Sequence, residues 1–216
     1  MRIEGHVGPS VGIDGQEGLS LRQGKTSELI ATRLHGRYYE TVSRGNVFYG
    51  TTAALSIVAL ASATANKPTL MNQPGSNVNC SLLRITLTYT STTTVVGGLH
   101  LAYNNNVGVP ATGAPIATFT NIAPVNALIG SQIAPKARFG QTNTWNVAPA
   151  NMGMVGIGEV AMTNAAVNNP FILVVDYDGL VVLAPGNSLS LCATTATGAT
   201  YIVTFIWEEI PIMGGV

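Results

Sequence analysis

The sequence predicts an all-β protein: an antiparallel β-sandwich, jelly-roll-like, with an extended amino-terminal arm. Three observations carry that reading. The closing stretch Phe171–Ile210, FILVVDYDGLVVLAPGNSLSLCATTATGATYIVTFIWEEI, is three apolar runs separated by Asp-Gly, Pro-Gly-Asn and Thr-Gly-Ala breaks. Its last run alternates, with Tyr201, Val203, Phe205 and Trp207 on one parity and Ile202, Thr204, Ile206 and Glu208 on the other. A period of two is the mark of a strand, because successive side chains point to opposite faces of the pleat. Finally, short apolar runs separated by turn residues recur along the chain, and nothing resembles a βαβ crossover, a heptad or a fixed repeat.

Taken in order, residues 1–46 form an arm or small subdomain. They hold six of the ten basic residues (Arg2, Arg22, Lys25, Arg33, Arg37, Arg44) and five of the ten acidic ones (Glu4, Asp14, Glu17, Glu28, Glu40). The first part is Gly-rich with few large apolar groups and predicts little regular structure unless it is bound. Leu19–Arg22 reads as a short strand, Gln23-Gly24-Lys25 as a turn, Glu28–Thr32 as a second strand and Leu34–Ser43 as one or two helical turns stopped at Gly45. The sandwich domain spans 47–216. Val47–Ala65 is apolar but interrupted by Gly50, Thr51, Thr52 and Ser56, which favours strands over a membrane span. Leu83, Ile85, Leu87 and Tyr89 oppose Arg84, Thr86, Thr88 and Thr90, a strand followed by a polar turn. Leu99, Leu101 and Tyr103 make the next.

Residues 105–170 form a loop-rich insertion carrying Pro110, Pro115, Pro124, Pro135, Pro149 and Pro170. Prolines at this density exclude long helices and confine strands to edges or short pieces. Ile116–Phe119 and Met154–Ile157 are candidate short strands, and Asn151–Asn164 is alternatively a short helix. After the insertion, Asp178-Gly179 between Val174-Val175 and Val181-Val182 predicts a hairpin, since a primed turn needs the positive φ that Asp and Gly tolerate. Pro185-Gly186 supplies a further reversal before Leu189 and Leu191.

Composition bounds the function. Charged residues are 9% of the 216, and the formal net charge is zero, against about 25% charged in ordinary soluble domains. A surface so poor in charge has little repulsion to keep copies apart, which points to burial by other subunits. The neutral balance argues against nucleic acid as a partner, since phosphate binding requires a basic patch. No signal peptide or membrane segment is expected: the start, MRIEGHVGPS, has no apolar core. Cys80 and Cys192 make neither a disulfide framework nor a metal-spaced cluster and read as buried free thiols.

Candidate chemistry is sparse. Asp176-Tyr177-Asp178-Gly179 opens like a calcium loop, but the fifth and twelfth positions are Leu180 and Asn187, where such a loop needs oxygen ligands and a bidentate Glu. His6, His35 and His100 lack an adjacent acid in any recognisable order, and no nucleophile elbow or zinc-binding helix motif is present. Glu208-Glu209 cannot flank one glycosidic bond, since adjacent strand residues face opposite ways; they read as a solvated strand end. Trp145, Tyr103 and Tyr177, if placed in loops, offer stacking surfaces for sugars. No catalytic residue, cofactor or metal is therefore assigned, and the chain reads as a non-enzyme.

Two segments, LRQGKTSELIATRLHGRYYETVSRGNVFYG at 21–50 and APGNSLSLCATTATGATYIVTFIWEEIPI at 184–212, give the chain its likeness to known proteins. In them it resembles small tailed-bacteriophage virion proteins. The resemblance covers both ends and not the Pro-rich middle, and it brings no catalytic residues with it. It implies a capsid cement (decoration) protein on the capsid surface, commonly a homotrimer, that binds the major capsid protein and holds capsomers together. The alternative it implies is a glycan- or receptor-binding head-fibre or tail component. Under the first reading Arg22, Lys25, Arg33, Arg37 and Arg44 are the expected contacts to the shell.

Overall fold

The structure, a computed structural model, describes residues 5–6, 21–22, 36–60, 67–91, 98–105, 116–145, 149–157, 172–194 and 200–212. It divides into two compact units, Met1–Glu40 and Thr41–Val216. In the first, β1 (Gly5–His6) and β2 (Leu21–Arg22) pair in parallel. The turn expected at Gln23–Lys25 and the strand expected at Glu28–Thr32 lie outside the described residues. α1 (Tyr39–Ser43) is a short helix. It stops where expected, at Gly45, whose φ of 73° is left-handed and whose N–H reaches Val42 O at 2.8 Å.

The second unit is built from β3 (Val47–Thr51), β4 (Leu55–Ser56), β5 (Thr69–Met71), β6 (Val78–Ser91), β7 (Gly98–Asn105), β8 (Ile116–Ile122), β9 (Val125–Asn126), β10 (Arg138–Trp145), β11 (Ala150–Ile157), β12 (Ile172–Leu183), β13 (Asn187–Ala193) and β14 (Thr200–Pro211). They form two antiparallel sheets, β11-β7-β13-β5-β10-β8 and β12-β6-β14-β3-β9, with β4 also paired to β14. The chain is thus an all-β sandwich. Four of its pairs are nested: β3 with β14, β5 with β13, β6 with β12 and β7 with β11. These strands read as one long antiparallel ribbon folded over, with alternate pairs falling in alternate sheets.

The Pro-rich stretch is more regular than its composition implies. β8, β9 and β10 lie within it; β10 and β8 extend one sheet beyond β5, and β9 extends the other beyond β3. Residues 150–157 are strand, not the alternative helix, because they pair with β7 from Tyr103 to Gly98. Pairing partners distant in sequence decide such segments, and local propensity does not reveal them.

The expected Asp178-Gly179 hairpin is also corrected. Both residues have positive φ, 52° and 87°, but the chain on either side stays on β6. Asp176 faces Arg84 and Val181 faces Leu82. Residues 177–180 therefore bulge out where the partner strand has only Leu83 between, and the strand resumes in line. The Pro185-Gly186 turn, with Gly186 at φ 82°, does reverse the chain, carrying it from one sheet to the other.

The core sits between the sheets. Tyr201, Val203, Phe205 and Trp207 are all buried, as their shared parity predicts, and they pack with Phe48, Ile85, Leu87, Leu101, Phe139 and Leu191. Phe139 on β10 reaches across from the opposite sheet, its ring centroid 5.4 Å from Phe205 and 6.4 Å from Trp207. Gly50 makes room for it: a Cβ there would lie 2.5 Å from Phe139 Cδ1. Gly50→Ala is accordingly expected to destabilise by about 1–3 kcal/mol through overpacking. A chemical denaturation midpoint unchanged from wild type would show that the ring has room to move.

Candidate functional site

Strand alternation gives each sheet an inner and an outer face, and the two outer faces differ. On β5 and β13 the parity opposite Leu70, Leu189 and Leu191 carries Thr69, Ser188, Ser190 and Cys192, all buried. Thr69 Oγ1 donates to Lys67 O at 2.9 Å and lies 2.7 Å from Ser190 Oγ. Having given its only proton to the carbonyl, Thr69 is left to accept from Ser190. Asn143 Nδ2 also donates to Lys67 O, at 2.9 Å. Lys67 is itself buried. Burial holds its ammonium below the usual range, with Cys192 opposing that effect. Burial likewise pushes the Cys192 thiol up to about 12, against the pull of Lys67.

This cluster has the residue types of a nucleophilic site and lacks the two properties such a site needs. The thiol is protonated at neutral pH, and it is fully buried. Cys80 on β6 is equally buried, and burial, with Glu209 second, pushes its thiol up as well. Both cysteines are free. Neither is expected to react with a soluble disulfide reagent until denaturant is added, when both should react; labelling of the folded chain would show that the sandwich opens locally.

The other outer face, on β12-β6-β14-β3-β9, is exposed along its margins and half-buried at its centre, and it is poor in charge. Register sets its rows: Ile172, Thr88 and Ile202; then Val174, Thr86, Thr204 and Thr51; then Asp176, Arg84, Ile206, Tyr49 and Val125. Ile202 and Ile206 are half-buried, in keeping with their place on the second parity of β14. Thr51 and Thr204 hydroxyls meet at 2.9 Å, and Arg84 Nε pairs with Asp176 at 2.5 Å. The face is therefore a surface of threonine and aliphatic side chains around the Arg84–Asp176 ion pair, with half-buried Glu208 on the same parity of β14.

Along one margin of that sheet runs a clamped loop, 127–137. Asn126 Nδ2 donates to Gly45 O (2.7 Å) and Ile133 O (3.4 Å), while its Oδ1 accepts from Leu128 N–H at 2.8 Å. At the far end Glu209 accepts from Lys136 N–H and Ala137 N–H. This corrects the reading of Glu208-Glu209 as a solvated strand end. Glu209 is only 5% exposed, and it lies on the core parity of β14 after Trp207, whose Nε1 donates to it at 3.2 Å. Glu208 is half-buried. Its carboxyl is pushed up by burial and pulled down by Arg44.

The residues expected to contact a shell fall as follows. Arg22 lies on β2 opposite His6. Lys25 and Arg33 lie outside the described residues, as does His35. Arg37 is exposed, its guanidinium 5.5 Å from the centre of the Tyr38 ring. Arg44 is exposed in the turn after α1. Arg22 and Arg37 belong to the first unit and Arg44 to the second.

The remaining candidates are absorbed by structure. Asp176 is held by Arg84, and Asn187 Nδ2 donates to Ala184 O and Pro185 O in its own turn. Among the described residues no group of three or more His, Cys, Asp or Glu side chains gathers in one place. His100 is half-buried, with Nε2 2.7 Å from Thr194 Oγ1. Tyr103, Trp145 and Tyr177 lie on β7, β10 and β12 and not in loops; Tyr177 packs partly against the core, and burial raises its phenol pKa. No family model matches the chain, and no curated protein matches it either.

Proposed function

We propose that this chain is a non-enzymatic structural subunit of a tailed-bacteriophage particle, a capsid cement protein that binds the head shell and fastens neighbouring capsomers. The observation that carries the reading is the charge-poor outer face of the β12-β6-β14-β3-β9 sheet, built of threonine and aliphatic side chains with exposed apolar residues at its margins. Such a face gains by being covered and has little ionic hydration to lose on contact. The nested pairing of β3 with β14 through β7 with β11 supports a jelly-roll, an architecture common in viral capsid proteins. The buried polar cluster around Lys67 supports a rigid wall in place of a reaction centre. In this reading the chain assembles as a homotrimer and docks on the major capsid protein at the capsid surface. Arg22, Lys25, Arg33, Arg37 and Arg44 contribute polar contacts to the shell.

The test is co-sedimentation of the purified chain with heads that lack it. Saturable, stoichiometric binding is expected, weakened about tenfold or more when the five basic residues are replaced by alanine, because each interfacial charge contact is worth on the order of 1 kcal/mol. Undiminished binding by that variant would remove the basic residues from the contact. Absence of binding to heads together with binding to host polysaccharide would replace this reading with the receptor-binding appendage.

A further inference from the structure

We infer that Asp178-Gly179 is a site of slow self-modification, at which the Gly179 backbone nitrogen attacks the Asp178 carboxyl and the peptide link passes to isoaspartate while the chain stays folded. Nothing in this depends on what the chain assembles with. Two of the three aspartates, Asp14 and Asp178, precede a glycine. Asp14-Gly15 lies outside the described residues, and the third, Asp176, precedes Tyr177 and is held by Arg84. Asp178 is exposed.

The reaction requires a carboxyl carbon, the next main-chain nitrogen, and freedom to bring the two together. Aspartate places its carbon where a five-membered ring closes, and Gly179 has no side chain to shield its nitrogen. The freedom comes from the fold. Asp176 faces Arg84 and Val181 faces Leu82, so residues 177–180 span a gap that β6 fills with Leu83 alone. Asp178 and Gly179 have φ of 52° and 87°, the turned conformation of a bulge tip. Swinging the Asp178 carboxyl over the Gly179 nitrogen therefore takes up slack in the bulge and leaves the register on either side in place. Asp178 has a contact of its own within the chain. On an exposed residue such a contact is worth little, and it slows the step without closing it.

The atoms balance with water alone. The nitrogen bonds to Cγ, its proton leaves with the carboxyl hydroxyl as one water, and a succinimide joins the two residues. One water then returns. Addition at the main-chain carbonyl carbon of Asp178 breaks its bond to the Gly179 nitrogen and leaves isoaspartate; addition at Cγ restores aspartate. Mass and charge are unchanged, but the main chain gains a methylene just before Gly179. Leu180, 86% exposed and the most exposed large apolar side chain among the described residues, follows directly. The tip that carries it is thus re-aimed as the protein ages.

The test incubates the full-length chain at neutral pH in water enriched in heavy oxygen, both folded and in denaturant, and assigns the products by peptide fragmentation. A second form carrying one heavy oxygen at Asp178 is expected, which separates on a column and accepts a methyl group from an isoaspartyl methyltransferase. Its rate in the folded chain should lie within about a hundredfold of that in denaturant, whereas global unfolding alone would hold it back about a thousandfold or more. Asp178→Glu should form none. Asp178→Asn, which reaches the same succinimide by losing ammonia, should convert faster than wild type. Amide protection at Leu82 and Arg84 should survive the change. A folded rate below that hundredfold limit, an isomer that persists in Asp178→Glu, an Asp178→Asn chain no faster than wild type, or protection lost at Leu82 and Arg84 as the isomer forms would each overturn the inference.

Discussion

Glu209→Ala is expected to lower the unfolding free energy by about 3–5 kcal/mol, as much as breaking a buried ion pair. The carboxylate is the acceptor for the amides of Lys136 (3.0 Å to Oε1 and 2.8 Å to Oε2) and Ala137 (2.9 Å) and for the Trp207 indole (3.2 Å). Alanine strands those donors, of which the Ala137 amide and the Trp207 indole are buried and the Lys136 amide part-buried, and each unsatisfied buried donor costs about 1–3 kcal/mol. The costs overlap, because freeing one end of the loop lets some donors find water. Glu209→Gln keeps one acceptor oxygen but introduces an amide NH2 facing other donors, so its loss should be smaller than that of alanine and still measurable. Urea midpoints at constant slope read the global loss. Amide exchange reads the local one: Lys136 and Ala137 should lose protection in the alanine variant before the β14 ladder does. Persistent protection at those two amides would show that the loop is held by something else.

How much of this was legible in the sequence depended on whether the deciding partner was near or far along the chain. The alternation of Tyr201 to Trp207 placed the inner face of β14 correctly because periodicity is a local property. Ile202 and Ile206, on the opposite parity, already marked an outer face that is only half hidden. Asp178-Gly179 was legible in its backbone conformation and illegible in its consequence. The positive φ was foreseen, but whether the chain then reverses or resumes depends on β6, which lies far away in sequence. Glu209 was misread for a related reason: two adjacent carboxylates at a strand end look solvated until the loop that ends at Ala137 folds over one of them. The parity that buries Trp207 also buries Glu209, and that was the available signal. The pairing of 150–157 with β7 and the polar cluster of Lys67, Thr69 and Ser190 depend on contacts between segments distant in sequence, and no local pattern announces them.

Phe139→Ala is expected to cost about 3–5 kcal/mol, the range for deleting a fully buried aromatic ring. The residue is fully buried and comes from the Pro-rich stretch, yet it packs among the aromatics of the opposite sheet, 5.4 Å from Phe205 and 6.4 Å from Trp207 between centroids. The stretch is therefore part of the core and not an appendage laid over it. Gly50 offers an internal check, since its missing Cβ is the space that the ring fills, with a built Cβ 2.5 Å from Phe139 Cδ1. In the Phe139→Ala background that clash is gone, so Gly50→Ala should become nearly neutral, a coupling of at least about 1 kcal/mol in a double-mutant cycle. Additive losses would mean that glycine is required at position 50 for its backbone or for another neighbour. A full coupling would tie the middle of the chain to β3 and, through the pairing of Gly50 with Phe205, to the strand on which the whole sandwich closes.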